Sequence, residues 1–62
     1  MNMKQIKLDK WYRTSMGVGQ VERVGGTYPP SVMVRIVAPL PRGLVNLRAR
    51  DVLEEVPPPE AN

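Results

Sequence analysis

A chain of 62 residues, with nine Lys/Arg against six Asp/Glu and a formal net charge of +3, makes one domain at most. A domain this small buries only about 60% of the surface its unfolded chain exposes. The chain has no cysteine and no histidine, which excludes a disulfide framework, a thiolate metal site and a zinc site of ordinary ligands, so no cofactor and no metal are expected.

Residues 1–9, MNMKQIKLD, form an N-terminal arm or an edge strand. The alternation Ile6-Lys7-Leu8 has strand character, and nothing in the segment reads as a long helix. The opening lacks the hydrophobic region of a signal peptide. No apolar stretch approaches the roughly 20 residues of a membrane span. The expectation is a cytoplasmic protein with no membrane partner.

KWYRT, residues 10–14, reads as a short strand, because Trp11 and Tyr12 both favour extended backbone. Adjacent strand residues face opposite ways, so one of the two packs inward. With Trp11 taken as the structural residue, Tyr12 is left for a partner.

GVGQVERVGG, residues 17–26, places Val18, Val21 and Val24 three apart, which is helix spacing. Four glycines in ten residues oppose a helix, at about 1 kcal/mol each relative to alanine. A strand with a bulge near Gly17 or Gly19 explains the spacing instead, since one extra residue shifts the facing by one. The pair Gly17 and Gly19 also raises the question of phosphate binding. GVGQVE lacks the third glycine of a dinucleotide fingerprint, no helix follows, and no G-K-[ST] is present. Both glycines are therefore assigned to backbone curvature. GGTYPP, residues 25–30, is a turn and loop that presents Tyr28.

SVMVRIV, residues 31–37, is the clearest strand, with Val32, Val34 and Ile36 on one face and Met33, Arg35 and Val37 on the other. APLPRG is a proline-punctuated loop. LVNLRAR, residues 44–50, is the next strand, with Val45 and Leu47 opposed to Asn46 and Arg48. ARDVLEEV then reads as one 3₁₀ turn, suited to Asp51, and a short last strand anchored by Val52, Leu53 and Val56. Residues 57–62, PPPEAN, are a proline-rich acidic tail of extended geometry.

The pattern predicts an all-β fold: a small five-stranded SH3-like (Tudor-like) barrel over residues 10–56, with a 3₁₀ turn before the last strand. Its expected core is Trp11 or Tyr12 with Val21, Val34, Ile36, Val45, Leu47 and Leu53. Closing or nearly closing the sheet covers edges that otherwise template aggregation.

KWYRTSMGVGQVERV resembles the opening of Tudor-like and KOW-like small barrels of bacterial transcription and repair proteins. These include the C-terminal domain of UvrD/PcrA-type helicases, the CarD-like regulators and the polymerase-binding domain of the transcription-repair coupling factor. The matching positions are Trp11 to Thr14 and then Gly17-Val18-Gly19-Gln20-Val21, and RARDVLEEV is similar to the close of such barrels. Asp9-Lys10 stands where those families carry Gly-Asp, and their common histidine is absent. The resemblance implies a barrel that binds RNA polymerase or nucleic acid and performs no catalysis.

The residues themselves point the same way. Ser15 and Ser31 have no histidine to activate them, and Glu54 and Glu55 are adjacent, hence splayed to opposite faces of a strand. No enzyme is expected. Residues 1–50 carry all nine bases and two acids, a net of +7, whereas residues 51–62 carry four acids and no base, a net of −4. A basic body suits a polyanionic or acidic partner. Arg13, Arg23, Arg35 and Arg48 are the candidates for one exterior patch, with Tyr12 and Tyr28 for stacking. Met33, facing out, suits a protein partner or a second copy. The expected function is a non-catalytic adaptor or regulator that contacts a transcription-associated protein or itself. Direct nucleic-acid binding is the alternative, and an oligomeric SH3-barrel enzyme is a distant third.

Overall fold

The computed structural model describes residues 1–25, 30–39 and 42–59. The strands are β1 (Trp11–Thr14), β2 (Gly17–Gly25), β3 (Ser31–Ala38), β4 (Gly43–Leu47) and β5 (Val52–Val56). They form one antiparallel sheet in the order β4-β3-β2-β1-β5. Two 3₁₀ turns, Met3–Gln5 and Ala49–Asp51, complete the elements. The second is the turn expected before the last strand.

β1 and β2 are joined by a two-residue connection, with Thr14 opposite Gly17. Neither central residue, Ser15 or Met16, has a positive φ; it falls on the residue after them, Gly17, at +131°, which glycine adopts without a steric cost. The Thr14 hydroxyl closes the turn: Oγ1 donates to the Gly17 carbonyl at 2.6 Å and accepts from Met16 N–H at 3.1 Å. Thr14 is buried, and its two bonds satisfy it there.

β2 carries two irregularities against β3, one between Val18 and Gly19 and one between Val21 and Arg23. The second places Val21 and then Val24 on the inner face, opposite Val34 and Val32. It is the physical origin of the spacing of Val21 and Val24, which mimics a helix, whereas Val18 lies on the outer face in line with Arg13.

The sheet is not closed by pairing: among the described residues no ladder joins β4 to β5. It is curled nonetheless. Laid flat, four interstrand spacings would separate β4 from β5 by about 19 Å. Only Arg48–Asp51 connects Leu47 to Val52, and with three of those residues in a 3₁₀ turn the link reaches about 13 Å. The two edge strands must therefore approach at this end.

The inner face contributes Tyr12, Val21, Val32, Val34, Ile36, Leu47 and Val52 to a single core. Three placements differ from those expected. The aromatic core residue is Tyr12, which is completely buried, and Trp11 lies half-buried on the outer face. The core residue of the last strand is Val52, while Leu53 is 45% exposed. The shift between Arg13 and Thr14 in the β1–β5 ladder makes Leu53 an extra residue, so Thr14 pairs with Val52. The strand expected over 44–50 ends at Leu47, because Arg48 is already the N-cap of the 3₁₀ turn.

The N-terminal arm is not an edge strand. Its 3₁₀ turn, capped by Asn2, brings Ile6 into the core and rests Met1 and Met3 against it. The Met1 nitrogen donates to the carbonyls of Ala49 at 3.2 Å and Val52 at 3.0 Å. The arm thus covers the mouth where β4 and β5 approach. Asp9, at φ +65°, turns the chain into β1; aspartate tolerates this conformation better than most residues.

Candidate functional site

Strand alternation sends to the outer face what the core does not take, and the register sorts those residues into rows. One row is Asn46–Met33–Arg23. The central row is Leu44–Arg35–Gln20–Trp11–Val56, crossing all five strands. A third is Val18–Arg13–Glu54.

Trp11 is the focus of this face. It lines a groove of about 520 Å³ with Asp9, Lys10, Glu55, Val56, Pro57 and Pro58. It also lines a second, of about 460 Å³, with Val37, Ala38, Arg42 and Pro59. The proline segment therefore runs beside the indole and contributes to both grooves. A smaller hollow of about 140 Å³ lies between Arg23, Gly25, Ser31, Met33 and Asn46.

The four arginines proposed for one patch are not assembled as one. Arg13, Arg23 and Arg35 share the outer face but occupy three different rows, and Arg48 sits apart at the 3₁₀ turn. Two of them already have anionic partners. Arg13 Nε donates to Glu54 across the β1–β5 ladder at 2.7 Å, and Arg35 Nε donates to Glu22 at 2.5 Å. Arg23 and Arg48 have no acidic partner among the described residues.

The hydrogen bond from Arg35 holds the Glu22 carboxyl below its ordinary value of 4.5, and Glu22 in turn raises the Arg35 guanidinium. A depressed carboxyl contributes stability that is complete above its unfolded value and is lost as pH falls through its folded one. The pair is exposed, so the contribution is small. Glu22→Gln is expected to melt slightly below the wild type at neutral pH and together with it only in acid well below 4.5, once the lowered carboxyl is itself protonated. A gap that stays constant across that range would show the pair is not the cause.

Of the other expected contact residues, Tyr12 is removed from the surface altogether. Its hydroxyl accepts from Lys7 N–H at 3.0 Å and donates to the Gln5 carbonyl at 3.4 Å. Met33 is half-buried beside Arg23. Tyr28 lies outside the described residues. Val56, Pro57–Pro59, Lys10 and Arg42 are not contact candidates in the sequence. The β1–β5 register, which sets Val56 opposite Trp11, brings Val56 and the prolines after it to the indole, while Lys10 precedes Trp11 in the chain and Arg42 reaches it from beside β4. Among the described residues no group of His, Cys, Asp or Glu is arranged to hold a metal ion, and no helix is long and apolar enough to cross a membrane.

Comparison with family models, with curated proteins and with solved structures finds no match to this chain.

Proposed function

We propose that this chain is a non-catalytic binding module, an SH3-like small barrel that takes a protein segment with an apolar anchor on its Trp11 face. The observation that carries this reading is the character of the outer face. Its centre is an indole flanked by Val37, Val56 and prolines; of the bases around it, Arg13 and Arg35 are paired with carboxylates, which leaves Lys10 and Arg42 of the groove linings without an acidic partner among the described residues. Phosphate binding needs bases free to displace counterions. Protein recognition needs an aromatic anchor in a hollow with a polar rim. A five-stranded antiparallel sheet with a 3₁₀ turn before its last strand supports the resemblance of the sequence to Tudor-like barrels, and that resemblance suggests a partner in the transcription or repair machinery.

Trp11 is the sole tryptophan, so its fluorescence reports on this face directly. Immobilised protein should capture a partner from lysate equally well before and after nuclease treatment. Trp11→Ala should weaken that capture at least about tenfold, as loss of a central aromatic anchor does, with the β-sheet circular dichroism retained because the core is built on Tyr12. The opposing result is binding of oligonucleotides with a log-log salt slope of about −0.7 per contacted phosphate on single strands, diminished by Arg23→Ala and indifferent to Trp11→Ala. That outcome would replace the protein-binding reading with direct nucleic-acid binding.

A further inference from the structure

The two edges of the sheet differ in charge. β4 and its flanks, Arg42 to Arg50, carry three arginines and no acid. Asp51 to Val56, through β5, carry three acids and no base, and although Glu54 is paired with Arg13 of β1, Glu55 and Asp51 have no ion-pair partner among the described residues. Each edge also presents an exposed leucine, Leu44 at 47% on β4 and Leu53 at 45% on β5. These are two of the four large hydrophobic residues exposed among the described residues, the others being Leu8 and Met16.

The edges approach each other at the 3₁₀ turn, yet no ladder between them is formed among the described residues. The N-terminal arm occupies that mouth through the Met1 bonds to Ala49 and Val52. The outer edge of β5 from Leu53 to Val56 and that of β4 remain unpaired among the described residues. An unpaired edge is a template for another strand.

We propose that these edges join copies of this chain head to tail, β4 of one against β5 of the next. Charge selects this arrangement over a two-fold one. A β4–β4 junction would bring together two sets of arginines, and a β5–β5 junction two sets of carboxylates, each opposed like to like. The β4–β5 junction sets basic against acidic and covers Leu44 and Leu53. A heterologous contact of this kind repeats, closing into a ring or continuing as a filament. It leaves Trp11 on the sheet face; Arg42, Glu55 and Val56 belong to both surfaces, so the junction is read from sedimentation of the chain alone, with no partner present.

Two exposed substitutions test it by sedimentation. Leu44→Glu turns the β4 edge against an acidic neighbour, and Leu53→Lys turns the β5 edge against a basic one. Wild type should sediment above the monomer mass in a concentration-dependent manner, and each variant should be monomeric. An equimolar mixture of the two should associate again, because each variant retains the edge the other lacks and the two introduced charges are opposite in sign. Circular dichroism checks folding, and Arg42→Glu or Glu55→Lys serves in place of a variant that does not fold. Three results overturn the proposal: wild type monomeric up to roughly millimolar concentration, one variant still self-associating, or a mixture that stays monomeric.

Discussion

Tyr12→Ala is expected to remove about half or more of the stability of the chain. The side chain is completely buried and belongs to the one core that all five strands share. Truncating a buried aromatic residue costs about 3–5 kcal/mol. A domain of this length has about 3–9 kcal/mol in all, at roughly 0.05–0.15 kcal/mol per residue. Tyr12→Phe separates the ring from the hydroxyl. It keeps the packing and releases the Lys7 N–H and the Gln5 carbonyl that the hydroxyl joins. Both residues are exposed, so water replaces part of the loss, and about 1 kcal/mol is expected. The N-terminal arm should loosen at the same time. Urea unfolding followed by circular dichroism measures the first effect, and amide exchange at Lys7 the second. A Tyr12→Ala variant with the wild-type urea midpoint would refute this account of the core.

Tyr12 also marks the limit of what the sequence discloses. Alternation states that Trp11 and Tyr12 face opposite ways, but it does not say which is inside. Hydrophobicity favours the indole. The structure favours the phenol, because residues 5–7 bring a backbone N–H and a carbonyl to its hydroxyl. Those partners come from a segment whose alternation at Ile6-Lys7-Leu8 has strand character and does not disclose the 3₁₀ turn that precedes it. Val32, Val34 and Ile36 were legible because β3 is regular through them, and a period of two holds wherever no bulge intervenes. Leu53 was misplaced where a bulge does intervene, since one added residue moves the next side chain to the other face. The outer site was legible only in part. Trp11 and the arginines are conspicuous in the sequence, but their partners Glu22, Glu54 and Val56 are fixed by cross-strand register. Register depends on the positions of those same bulges.

Gly19→Val tests the most specific feature of the GVG segment, and a loss of about 3 kcal/mol is expected. Gly19 does not carry the positive φ; Gly17 and Gly25 do. Its role is close approach. A Cβ at this position would lie 2.5 Å from the Arg35 carbonyl oxygen and 2.6 Å from Val34 Cγ1. The oxygen is backbone and cannot rotate away, so β2 and β3 would have to separate where Gly19 pairs with Ile36 and Gln20 with Arg35. Overpacking of this kind costs about 1–3 kcal/mol and sometimes more. In a domain of this size each kcal/mol lowers the melting temperature by roughly 4–8 °C, so a fall of about 12–24 °C should be seen. Gly19→Ala should do nearly as much harm, because the clash begins at Cβ and not with bulk beyond it. Gly43→Ala is the control: nothing lies within 4 Å of its Cβ and its φ is not positive, so it should be neutral or stabilising by up to about 1 kcal/mol. The decisive comparison is therefore between two alanines. If Gly19→Ala melts with Gly43→Ala, the strands do not approach as closely as described. If it falls well below, the second glycine of GVG is there to let β3 lie against β2, and the first to let β1 turn back upon it.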